Sequence, residues 1–125
     1  MSALNLRKEA EHLEDYWTPR VVARLNKQFV KVAKVKGELA WHKHDDEDEM
    51  FLVLAGSLRI EYEDRPHVDL AEGDCHVVPR GVMHNPVCED ECLIALFEPD
   101  STEHTGDRVT EKTVPIEQQL DSCSG

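Results

Sequence analysis

Trp41-His42-Lys43-His44-Asp45-Asp46-Glu47-Asp48-Glu49 runs directly into Met50-Phe51-Leu52-Val53-Leu54-Ala55, and His84 answers it downstream. Two histidines separated by one residue point to the same side when their segment is extended. The segment 49–55 is a near-continuous apolar run, which fits a strand covered on both faces. Alternation puts Glu49, Phe51 and Val53 on one face, so the carboxylate is expected to point inward with its apolar neighbours. Three imidazoles and one carboxylate that converge can hold one transition-metal ion, because imidazole and carboxylate suit Fe(II), Mn(II), Zn(II), Ni(II) and Cu(II). Taken alone, His-x-His also fits a solvated strand, His84 a structural histidine, and 45–48 a solvated acidic loop.

The wider pattern supplies the context. Gly37, His42, His44, Glu49 and Gly56 resemble the first cupin motif, and Gly73, Pro79, Gly81 and His84 resemble the second. Residues 57–72, between the two, have the length of the inter-motif segment in compact single-domain cupins. Further wording is similar to small bacterial cupins described as mannose-6-phosphate isomerase-like: Trp17, Lys34 to Glu38, Trp41-His42, Val77 to Gly81, Glu98-Pro99 and Thr105 to Asp107. The resemblance implies an all-β, double-stranded β-helix (a jelly-roll barrel) with metal ligands His42, His44, Glu49 and His84. Two departures stand out. Residues 38–41, between Gly37 and His42, are one fewer than usual, which is expected to move a turn. Cys88 stands where the second motif ends in Asn, which bears on loop geometry.

Composition narrows the classes. The chain has 125 residues, enough for one domain with its own core. A net charge of −12 argues against nucleic-acid and anionic-membrane partners, which call for Lys and Arg clusters. Part of that charge clusters at 45–49, where a divalent cation would offset it. No signal-peptide core and no transmembrane run is evident, so a cytoplasmic protein is expected. Cys75, Cys88, Cys92 and Cys123 lack Cys-x-x-Cys spacing and read as free thiols, with Cys75 a candidate pocket residue.

Outward from the central stretch, Leu4, Leu6, Ala10 and Leu13 give a helical stripe over 4–13, broken at Trp17-Thr18-Pro19. Segments 21–25 and 29–35 read as strands joined at Asn26-Lys27. Lysines interleave with valines in the second, so one face is expected to be wet, with one lysine able to reach the pocket. Further strands are expected at 39–44, 49–55, 58–62, 67–70, 75–78, 83–87 and 92–97. The expected organisation is an N-terminal helix and leading strand (1–26), a barrel (27–110) and a partly frayed extension (111–125).

His12, His67, His76 and His104 read as solvated, with His76 able to fall near the pocket. Arg80 is placed at the rim, and Trp41, Phe51 and Met83 in the core or pocket wall. Three functions fit: a metal-dependent small-molecule enzyme, a sugar or sugar-phosphate isomerase or epimerase, or a non-catalytic sensor of a small molecule or metal. Scattered lysines and Arg80 are a poor phosphate grip, which ranks the second lower. The ligand is expected in the barrel. Leu52 and Leu54 face away from Glu49 and need cover, from the N-terminal segment with Leu4, Leu6, Leu13 and Trp17 or from a second copy. A homodimer is the expectation.

Overall fold

A computed structural model of the chain describes residues 2–102 and Gln119. One short helix, α1 (Leu6–Glu11), precedes seven strands: β1 (Arg20–Leu25), β2 (Gln28–Glu38), β3 (Glu49–Ala55), β4 (Leu58–Tyr62), β5 (Val68–Leu70), β6 (Cys75–Val78) and β7 (His84–Pro99). All strand pairs are antiparallel, and the order runs β1-β2-β7-β3-β6 with β4 joining β7 to β5. The structure is an all-β jelly-roll of the cupin kind, as the motifs imply.

β7 is the spine. It pairs with β2 along most of its length, with β4 over its first half and with β3 over its second. Two separate strands, at 83–87 and 92–97, were the expectation from sequence; the chain instead stays extended through the exposed Glu89-Asp90-Glu91. These acidic side chains are exposed while the backbone continues, so the polar run marks a register shift against β2 and not a break. Gly37 is likewise not in a turn. It sits inside β2 opposite Cys88, at a register shift after Val35, with φ +79°, a conformation that glycine adopts without strain.

Alternation along β2, β3 and β7 separates two apolar layers. Ala33, Val35, Phe51, Val53, Ile94 and Leu96 point into the barrel with Ile60, Tyr62 and Val78. On the outer face, Val32, Leu93 and Ala95 meet Ala10 and Leu13, and the half-buried Leu6, Leu52, Leu54 and Phe97 pack around them. The helix is shorter than the sequence suggests, starting at Leu6 because the Asn5 side chain caps it by accepting from the Lys8 amide at 2.9 Å. It covers Leu52 and Leu54 from within the same chain, so they do not require a second copy. Trp17 leaves that layer altogether: its ring is buried inside the barrel and its indole N–H donates to the Lys36 carbonyl at 2.8 Å. Leu4 stays half exposed.

At the β3–β4 turn, Gly56 has φ +88°, and a Cβ there would lie 3.0 Å from the Glu91 carbonyl oxygen. The expected extension 111–125, with Cys123, and the positions His104 and Thr105 to Asp107 lie outside the described residues, apart from Gln119.

Candidate metal centre

The loop 39–48 is not the strand that His-x-His spacing suggests. Its one ladder contact is an antiparallel bridge between His42 and His84, in which each backbone N–H donates to the other's carbonyl, at 2.9 and 2.8 Å. Further bonds hold the loop: Gly81 N–H to the His44 carbonyl at 2.7 Å, and the Arg80 amide to Asp48 Oδ1 at 2.8 Å. The Pro-x-Gly turn of the second motif is therefore what pins the first. Asp45, Asp46 and Asp48 are exposed and Glu47 accepts from the Ser101 hydroxyl at 2.7 Å, so within the acidic run only Glu49 turns inward.

His42, His44, Glu49 and His84 converge. One donor atom from each lies within 4.8 Å of all the others, and all four side chains are buried. Glu49 Oε1 is 3.4 Å from His44 Nε2 and 3.8 Å from His84 Nε2. Donors on a tetrahedral ion with bonds near 2.1 Å sit about 3.4 Å apart, so these spacings suit one ion. The ring centroids of His42 and His84 are 4.4 Å apart and those of His42 and His44 5.1 Å.

Tautomers are set by the backbone. His42 Nδ1 lies 2.8 Å from the Ala40 carbonyl, and His84 Nδ1 lies 2.9 Å from the Val82 carbonyl. A carbonyl only accepts, so both Nδ1 atoms carry the proton and both Nε2 atoms present a lone pair to the centre. All three Nε2 atoms are buried without a hydrogen-bond partner. A buried polar nitrogen left unsatisfied costs about 1–3 kcal/mol, and three at one point are explained by a cation among them. The residues fit a divalent ion.

Charge follows burial. Desolvation, then the neighbouring His84, holds His42 down at about 4, so it is neutral at ordinary pH. Burial also pulls His44 down, but its contact with Glu49 outweighs that and raises it. Glu49 is pushed up by burial, yet its contacts with Glu98, His44 and His84 keep it well below the usual carboxylate range.

A cavity beside the centre is lined by His42, Glu49, Trp17, Phe51, Ile94 and Leu96, among others. Of the other positions singled out from sequence, His76 does reach the barrel: its Nε2 is 2.6 Å from the Tyr62 hydroxyl, and the Tyr62 ring lies 6.4 Å from that of His84. Arg80 is exposed, Trp41 is exposed and not a wall, and Cys75 is exposed and not a pocket residue. Cys75, Cys88 and Cys92 are free thiols. His12 and His67 are exposed. Sequence reading missed Tyr62, whose only signal was an inward place in the alternation of β4. It expected one lysine of β2 to reach inward without saying which, and gave Glu98 no role; Lys31 and Glu98 are both fully buried in the barrel.

A three-histidine, one-glutamate cluster inside a jelly-roll defines a cupin with a site able to hold a metal. The chain belongs to that family: residues 29–97 match the cupin domain. It is 32% identical to the uncharacterized protein YdbB of Bacillus subtilis (strain 168) over 80 residues, 64% of this chain and 71% of that protein. Among solved structures it is similar to a cupin-2 domain containing protein from Shewanella frigidimarina, with 38% identity, TM-score 0.73, and coverage of 77% of this chain and 93% of the other. It is also similar to protein NMB1881 from Neisseria meningitidis, with 26% identity, TM-score 0.72, and coverage of 78% and 99%. Among the described residues, no helix is long and apolar enough to cross a membrane.

Proposed function

We propose that this chain is a metal-dependent small-molecule enzyme, with His42, His44, Glu49 and His84 as the ligands of one divalent transition ion (Fe, Mn, Zn, Ni or Cu). The observation that carries the reading is the set of three buried, unpartnered Nε2 atoms aimed at one point beside a buried carboxylate. Such an ion supplies Lewis acidity to a ligating oxygen of the substrate. An ion that expands to five or six coordination would keep one or two positions free for it beside four protein ligands. The chain's own residues do the rest: Ala40 and Val82 hold the imidazole tautomers, while Trp17, Phe51, Ile94 and Leu96 exclude water from the cavity.

Those walls favour a small, largely apolar substrate with one oxygen donor. A sugar phosphate calls for a cationic grip, and among the described residues that line the cavity none is a lysine or arginine. In this reading the protein works in the cytoplasm, as a two-fold pair joined through the outer face of β3 and β6, where Met50 is half buried and Val77 is exposed. Elemental analysis of protein purified without added metal tests the centre. One transition ion per chain, sharply reduced in both His42→Ala and His84→Ala, is expected. Unchanged occupancy in the two variants refutes it. A substrate screen on the loaded protein then assigns the reaction.

A further inference from the structure

Lys31 and Glu98 form an ion pair at 2.6 Å in which both side chains are fully buried. Such a pair is costly to desolvate and seldom adds stability over an apolar pair of the same volume. Its location suggests what it does. In the β3–β7 ladder Met50 stands opposite Phe97, and one step further along puts Glu49 beside Glu98. Both side chains point into the barrel, so two carboxyl groups face each other across neighbouring strands; burial and the nearby Glu49 raise Glu98 well above the usual carboxylate range, so Glu98 can hold the proton that the two share. Lys31 holds Glu98 from the other side. It stands opposite Leu96 in the β2–β7 ladder, diagonal to Glu98. Its Nζ reaches Glu98 Oε1, the Thr102 carbonyl at 3.4 Å and the Phe29 ring at 5.8 Å. Glu98 itself is not one of the four converging donors.

We infer that Lys31 and Glu98 are positioning residues of the metal centre: the pair walls off the far side of Glu49 and keeps Oε1 turned toward the three imidazoles. The inference rests on the metal reading above. Outer partners of this kind fix the orientation of a ligand, and their loss commonly weakens metal binding about 10–100-fold.

Cobalt(II), whose visible bands report ligand geometry, is the probe. The double variant Lys31→Met with Glu98→Leu removes both partners together, so neither is left buried alone. Wild-type protein is expected to take up one Co(II) per chain. The double variant, folded by circular dichroism, is expected to bind Co(II) at least about tenfold more weakly with shifted bands. Wild-type affinity and bands in the folded variant overturn the inference and leave the metal reading standing. A wild-type protein that takes up no Co(II) removes both. If the double variant does not fold, Lys31→Met alone, which keeps the length of the side chain, is read by its bands: shifted bands support the inference, and wild-type bands overturn it.

Discussion

His42 makes the metal-free protein acid-labile by an amount that its burial sets. Its ring is held neutral, with a folded value of about 4 against an ordinary value of 6.5. A depressed histidine binds fewer protons in the folded state than in the unfolded one. Stability is therefore lost as pH falls from about 6.5 toward 4, and the loss is complete below that window. Integrating over the interval gives a loss of about 2 kcal/mol by pH 5 and about 3 kcal/mol by pH 4. Other groups titrate in the same range, His44 in the opposite sense among them, so the measurement is a difference. Urea unfolding of metal-free wild type and His42→Gln is followed from pH 7.5 to 4.5. The wild type is expected to lose about 2–3 kcal/mol more than the variant over that range. Stability curves that run parallel would refute the claim that a buried neutral His42 is responsible.

Three other expectations follow from the same geometry. Metal affinity should fall as pH drops from 7.5 to 5.5, because His44, raised by its contact with Glu49, takes up a proton that competes for its ring nitrogen; a competition titration that stays flat over that range contradicts imidazole ligation. Gly56→Ala forces an L-residue to φ +88° with its Cβ 3.0 Å from the Glu91 carbonyl oxygen. It should cost roughly 1–3 kcal/mol in chemical denaturation, and a neutral result would mean that the β3–β4 turn relaxes freely. Light scattering at micromolar concentration should report a dimer; a mass near 14.3 kDa refutes the pairing.

The metal-site candidates were legible in one dimension because they belong to two spaced motifs, and because Glu49, Phe51 and Val53 alternate at the start of a strand whose inward face is apolar. Segment 39–44 was read as a strand and lies in a loop, yet the four candidate residues still converge. His42 and His44 are held by the backbone of His84 and Gly81, partners far away in sequence. The helix was legible from its stripe, while its start, set by the Asn5 cap, came from the structure. Whether the helix covers its own barrel or a neighbour's could not be read from a stripe, since the same apolar face serves either.

Local pattern and the resemblance to two spaced motifs thus pointed to the family, the jelly-roll class, the four residues that converge and the direction of Glu49. Tertiary structure decided which lysine of β2 lies inside. Phe29-Val30-Lys31-Val32-Ala33-Lys34-Val35 places apolar residues and one lysine on each face, so period-2 alternation is silent between Lys31 and Lys34. The register of β2 on β7, set by contacts along the whole length of both strands, turns Lys31 inward beside Glu98 and leaves Lys34 half-buried on the outer face. Glu98 is decided in the same way. A glutamate at the end of a strand reads as solvated until the ladder brings it level with Glu49 and a cation from a third strand comes within 2.6 Å.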